Sequence, residues 1–144
     1  MIHEDTINLI KECDAGIKMG ISSIDEVLPD VKSEKLKAYL IKCKSEHEKL
    51  GSELEGLLNE YHDEGKNPNP IASGMSWMKT NMKLMMDKSD ETIADLMTDG
   101  CNMGVKSLNK YFNEYEAAQE KVKDITKRLI NLEEKLAVDI RAYL

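Results

Sequence analysis

Three polar residues interrupt the apolar stripes of this sequence near the middle of three predicted helices: Asp14, His47 and Asn102. A carboxylate, an imidazole and a carboxamide either bind metal ions or form buried hydrogen-bond networks. An ionised carboxylate in a helical core is costly unless it is paired, and His47 is the natural partner of Asp14. We expect these residues to form a structural polar core that fixes the register of the helices. A weak site for a single metal ion is the alternative.

Cysteines lie beside each of these polar positions. Cys13 and Cys101 directly precede Asp14 and Asn102, and Cys43 lies one helical turn before His47. Three thiols and one imidazole are the donor set of a tetrahedral zinc site, but the C-x-x-C pairs that usually anchor zinc are missing. Because cysteine is commonly a small buried hydrophobe, we expect core positions for all three. Zinc binding and a redox thiol pair are the alternatives.

Methionines are concentrated in one segment that follows the Gly/Pro/Asn-rich residues 63–70. Apolar side chains recur every three or four residues over 71–87, which predicts a short amphipathic helix that caps the bundle. A surface that docks a protein partner and a copper(I) site of thioethers are the alternatives. The residues of the partner surface are Met75, Trp77, Met78 and Met82.

Apolar stripes of helical period run through most of the chain and predict its architecture. We predict helices over residues 4–28, 33–62, 71–87, 89–115 and 117–142, with Ser33 and Ser89 as N-caps and Pro29 as a stop. Two long hairpins separated by a long connection are typical of a ferritin-like four-helix bundle, here a single domain over 1–144. The last long helix presents a stripe that includes Leu129, Leu132 and Leu136 and adds no polar group to the core, and Glu133 with Glu134 is assigned to its surface.

An internal repeat supports two related halves. Residues 13–27 align without gaps to residues 101–115 and share Cys, Gly, Lys and Glu at matching positions. This pattern predicts a duplicated helical hairpin. Glycine inside a helix costs about 1 kcal/mol relative to alanine, so the pairs Gly16/Gly20 and Gly100/Gly104 need a structural reason. We expect close backbone approach where the two repeat helices cross. Room for a ligand beside the helix is the alternative.

The CDxG and CNxG elements of the two halves, together with Glu46-His47-Glu48 and Trp77, resemble a bacterial ferritin-like four-helix-bundle domain family of unknown function. The resemblance covers roughly residues 4–143 and implies a fold but no established activity. In that family's usual pattern an acidic residue follows the glycine of each half, whereas this chain has Ile17 and Val105. The resemblance therefore does not carry acid-dependent metal chemistry to this chain.

Composition and missing motifs exclude several functions. The 144 residues carry a net charge of -7, which disfavours duplex nucleic acid as a partner. The longest uncharged run, residues 67–78, is too short to span a bilayer, and residues 1–12 lack the features of a signal peptide. No Glu-x-x-His pair of the di-iron type, phosphate loop or nucleophile–histidine–acid set stands out. We expect a non-enzymatic cytoplasmic protein without a cofactor, structural or protein-binding, with a homodimer or another protein as partner. The alternative is an iron- or zinc-binding protein, or a metal-dependent oxidoreductase, built on the mid-bundle cluster.

Overall fold

The computed structural model describes residues 2–61 and 87–144, which form four long helices. No strand occurs in these two ranges, so the prediction of an all-α chain with four long helices is confirmed. Residues 71–86 of the helix predicted over 71–87 lie outside the described residues, among them Met75, Trp77, Met78 and Met82. The helices are α1 (Ile2–Val27), α2 (Glu34–Glu60), α3 (Asp90–Glu114) and α4 (Glu120–Asp139).

Short-range sequence signals set most of the helix ends. Helix α1 passes into a single 3-10 turn, Leu28–Asp30, that contains Pro29. The hydroxyls of Ser33 and Ser89 each accept a hydrogen bond from the backbone N–H three residues later, at 3.2 Å. Both predicted N-caps are therefore confirmed, because each serine satisfies a backbone donor that has no partner within its helix.

The start of α4 differs from the predicted residue 117. The backbone N–H groups of Ala117 and Gln119 donate to the side chains of Asp5 and Thr6, which lie at the start of α1. These tertiary hydrogen bonds hold the α3–α4 turn in a non-helical conformation, and α4 begins at Glu120.

Contacts between helix ends give the direction of each helix. The Asp90 carboxylate at the start of α3 accepts from the backbone N–H groups of Lys32 and Ser33, in the turn between α1 and α2. At the other end of the bundle, Lys121 of α4 lies 3.3 Å from Glu60 of α2. Helices α1 and α4 thus run in one direction and α2 and α3 in the other. Tyr61 and Asp87, which flank the undescribed residues, lie at opposite ends of the bundle.

The core consists of two apolar clusters separated along the bundle axis. Helix α1 packs against the other three helices, and so does α4. One cluster contains Ile24, Leu36, Leu40, Ile93, Leu96 and Ile140, and the other contains Leu9, Ile10, Leu54, Val122, Ile125 and Leu129. A polar layer formed by His47 of α2 and Glu133 of α4 lies where the two clusters meet, at the level of the midpoint of α2.

Candidate functional site

His47 occupies the middle of the buried face of α2 and is 1% exposed. Its Nδ1 lies 2.8 Å from the backbone carbonyl oxygen of Cys43, one turn earlier, and 3.5 Å from the sulfur of the same residue. Its Nε2 lies 2.9 Å from Oε1 of Glu133. Both ring nitrogens therefore face hydrogen-bond acceptors, which fixes the orientation of the ring.

Glu133 of α4 is the partner of His47, and its position on the helix explains this. Glu133 lies four residues after Leu129 and three residues before Leu136, which places it on the buried stripe of α4. Its side chain is 12% exposed. The prediction that Glu133 belongs to the helix surface, and that α4 adds no polar group to the core, is therefore wrong. The helical spacing of Glu133 is the signal that would have revealed it.

The ion pair determines the protonation of His47. Burial alone lowers the pKa of an imidazole, but the hydrogen bonds to Cys43 and Glu133 outweigh it. Together they raise the pKa of His47 from its ordinary value of 6.5 to about 10. The imidazolium donates one N–H to a backbone carbonyl and the other to a carboxylate. Near neutral pH the polar layer is therefore a charged, hydrogen-bonded pair inside an apolar core.

Two glycines make room for this pair. A Cβ at Gly20 of α1 would lie 2.8 Å from Nε2 and 2.9 Å from Cδ2 of His47, closer than real contacts allow. A Cβ at Gly104 of α3 would lie 3.6 Å from Cδ of Glu133, and one at Gly16 would lie 3.7 Å from Leu129. Gly20 and Gly104 thus face side chains of α2 and α4, which the sequence did not predict. A Cβ at Gly16 would also lie 3.8 Å from Leu108 of α3, so at this position the two repeat helices do approach each other. All four helices contribute to the surroundings of the pair.

Asp14 and Asn102 do not join His47. The Asp14 carboxylate lies 2.8 Å from Nζ of Lys18, and Asn102 is exposed. The expected pairing of Asp14 with His47 is wrong because both ring nitrogens of His47 bind other groups. In each case the preceding cysteine, Cys13 or Cys101, occupies the buried position instead. A residue next to a core residue is rotated by about 100° around the helix, which places Asp14 at the rim and Asn102 in solvent.

The three cysteines are all buried and free, so their predicted core positions are confirmed. The Cys13 sulfur lies 3.1 Å from the Thr126 hydroxyl, and burial raises the pKa of this thiol to about 11. Burial also raises the pKa of Cys101, and the Glu133 carboxylate, which this thiol hydrogen-bonds, raises it further. Cys43 differs from both because its sulfur lies beside the His47 ring.

A groove between α2 and α4 runs along the surface above this layer. Its volume is about 280 Å³, and Cys43 is part of its lining. The other residues that line it are Tyr39, Lys42, Glu46, Leu132, Lys135, Leu136 and Asp139. A second, shallower depression of about 430 Å³ lies along α1 and is lined by Lys18, Ile21, Ser22, Asp25 and Glu26. The groove is therefore the depression that leads towards the polar layer.

The donors in the polar layer do not fit a di-iron centre of the ferritin-like type. Such a centre takes about four carboxylates and two histidines, whereas this layer has one of each and adjacent thiols. Among residues 2–61 and 87–144, no group of three or more His, Cys, Asp or Glu side chains is placed to hold a metal ion. What the arrangement does supply is a fixed imidazolium next to a thiol.

No protein-family model, curated protein or solved structure matches the chain. None of the helices in the described part of the chain is long and apolar enough to cross a membrane. The geometry of the polar layer is therefore the basis for any functional assignment.

Proposed function

We propose that this chain is a non-enzymatic helical bundle of the ferritin-like type, with a structural or protein-binding role. The His47–Glu133 pair carries the proposal, because protein acceptors occupy both nitrogens of the imidazolium. Apolar clusters lie on both sides of the pair along the bundle axis. If α4 slid by one turn, Leu129 or Leu136 would face His47 and two charges would be buried without partners. The pair therefore favours the observed alignment of α2 and α4 over alignments in which α4 is shifted by one turn.

The directions of the four helices and the long connection between the two hairpins support the ferritin-like assignment. The two hairpins, α1–α2 and α3–α4, pack with neighbouring helices antiparallel, and residues 62–86 connect opposite ends of the bundle. A long connection between two hairpins is the feature that separates ferritin-like bundles from up-and-down bundles. The CDxG and CNxG elements of the two halves point to the same family.

The structural role is tested by comparing single and double substitutions at the pair. His47→Leu leaves Glu133 buried without its partner and should lower the free energy of unfolding by about 3–5 kcal/mol. Adding Glu133→Leu removes the second charge and should restore stability to the wild-type level or above. Chemical denaturation followed by circular dichroism gives both values. If the double variant is as unstable as the single one, the pair has no register role.

The alternative of a metal-binding or oxidoreductase-like protein is tested by elemental analysis. The protein is purified without chelator and without an affinity metal. We expect iron and zinc well below one equivalent per chain, in wild type and in His47→Ala alike. A stoichiometric metal in wild type that is lost in His47→Ala would replace the present proposal with the metal-binding one.

The protein-binding role is tested first with a second copy of the chain as the partner. Size-exclusion chromatography with light scattering should show a dimer for wild type. Met78→Glu should be monomeric with an unchanged circular dichroism spectrum, because a buried glutamate weakens an apolar interface. A monomeric wild type at every concentration would exclude the homodimer. A dimeric Met78→Glu would show that Met78 does not contribute to its interface.

A further inference from the structure

Cys43 is the cysteine of this chain that combines an outer groove with a neighbouring positive charge. It lies on the buried face of α2 and is 6% exposed, against 0% for Cys13 and 2% for Cys101. Unlike the other two, it lines the 280 Å³ groove between α2 and α4. A reagent that enters the groove therefore contacts Cys43 and neither Cys13 nor Cys101.

The groove has walls of mixed character. Tyr39, Leu132 and Leu136 supply apolar surface, and four charged side chains form the rim. The rim carries two lysines, Lys42 and Lys135, and two carboxylates, Glu46 and Asp139, so its charges balance. Nζ of Lys135 lies 2.8 Å from the Asp139 carboxylate. A rim with little net charge over apolar walls suits a small, uncharged, apolar or aromatic molecule.

The charge next to the sulfur is fixed by the rest of the layer. Nδ1 of His47 lies 3.5 Å from the Cys43 sulfur, and Glu133 holds the opposite nitrogen at 2.9 Å. A thiol reacts as its thiolate, and a neighbouring imidazolium stabilises the negative charge that this requires. The Cys101 thiol instead hydrogen-bonds the Glu133 carboxylate, whose negative charge opposes the same step.

The geometry points to Cys43 as a site of thiol–disulfide exchange with small apolar disulfides, in which the His47–Glu133 pair positions the charge that activates the sulfur. The Cys43 sulfur attacks one sulfur of the disulfide, so that a new S–S bond forms and the original S–S bond breaks. The displaced sulfur leaves with the electron pair and takes up the proton that Cys43 gives away. The disulfide is reduced to one free thiol, and Cys43 is oxidised to a mixed disulfide.

The folded wild-type chain, treated with 4,4′-dithiodipyridine, provides the test. Release of thiopyridone, followed by absorbance, should show one thiol that reacts at least about tenfold faster than the other two. Peptide mapping by mass spectrometry should place the fast adduct on Cys43. Cys43→Ser should abolish the fast phase, and the matched control Cys13→Ser should leave it unchanged.

Two further variants test whether the charge of His47 and the width of the groove set the reaction rate of Cys43, rather than its solvent exposure alone. Glu133→Gln keeps the shape of the side chain but removes the charge that holds His47 protonated, and should slow the fast phase several-fold. Leu132→Trp narrows the groove and should slow it as well, while circular dichroism verifies that each variant is folded. Equal rates for all three thiols, a fast adduct on Cys13 or Cys101, or rates that rise only with added denaturant would overturn the proposal.

Discussion

Substituting Gly20 by alanine probes the polar layer from the neighbouring helix. The new Cβ would lie 2.8 Å from Nε2 and 2.9 Å from Cδ2 of the His47 ring. A flexible side chain would move aside at little cost. The ring cannot, because hydrogen bonds hold its two nitrogens from opposite sides. Alanine at position 20 therefore either displaces the ring, which breaks the bond to Glu133, or pushes α1 away from α2.

The expected magnitude follows from three contributions. Overpacking a core typically costs about 1–3 kcal/mol, and loss of a charged hydrogen bond costs about 1.5–3 kcal/mol. The better helix propensity of alanine offsets about 1 kcal/mol. We expect Gly20→Ala to lower the free energy of unfolding by about 1.5–5 kcal/mol. At roughly 3 °C per kcal/mol for a chain of this size, the midpoint of thermal unfolding falls by roughly 5–15 °C.

The chain supplies two matched controls for this measurement. A Cβ at Gly56 of α2 meets nothing within 4 Å, so Gly56→Ala should raise stability by about 1 kcal/mol through helix propensity alone. A Cβ at Gly104 makes ordinary contacts of 3.6–3.7 Å with Glu133, so Gly104→Ala should be neutral or stabilising. Urea unfolding followed by far-UV circular dichroism compares all three variants with wild type.

A Gly20→Ala variant as stable as Gly56→Ala would show that the His47 ring is free to move and that the hydrogen bonds do not fix it. A double-mutant cycle with His47→Ala identifies the cause of any loss. The cost of Gly20→Ala should largely disappear in that background, since the atoms it meets have been removed. A cost that persists unchanged would assign the effect to the backbone of α1.

Two further predictions concern protonation and the ends of the helices. Because the folded-state pKa of His47 is raised from 6.5 to about 10, its stabilising contribution is complete below pH 6.5 and is lost as the pH rises to about 10. Urea unfolding across this window should show a fall in stability for wild type that is absent from the His47→Leu/Glu133→Leu variant, and equal pH profiles would contradict the ion pair. Asp90→Ala removes the acceptor for two backbone N–H groups and should cost about 1–2 kcal/mol in urea unfolding. Asp95 is exposed, so the control Asp95→Ala should change stability by less than about 0.5 kcal/mol. If Asp90→Ala and Asp95→Ala had equal effects, the hydrogen bonds to the Asp90 carboxylate would not contribute to stability.

Local signals in the sequence predicted the helices well because the interactions that end a helix lie within a few residues. Ser33 and Ser89 cap helices through donors three residues away, and Pro29 lies in the 3-10 turn that follows α1. His47 was also predicted to be buried, since apolar residues precede and follow it at helical spacing. The exception was the start of α4, which depends on hydrogen bonds to residues more than 100 positions away in sequence.

The partner of His47 was decided by the tertiary structure alone. A polar residue and its partner on another helix meet only if the two helices have the right rotation and axial offset. The apolar stripe predicted for α1 placed Asp14 on the core face, whereas the helix presents the adjacent Cys13 there. On α4, Leu132 was assigned to the stripe in place of Glu133, although the two are also adjacent. One residue along a helix is a rotation of about 100°, enough to exchange a buried position for one at the rim.

The sequence by itself therefore determined an all-α chain of four long helices with His47 in its core. The packing of those helices decided which charge neutralises that histidine, which thiol lies beside it and why Gly20 has no side chain. The physical reason is the range of the interactions. Caps and stripes act within a few residues, while an ion pair across a bundle depends on how far each helix is turned and shifted against its neighbours.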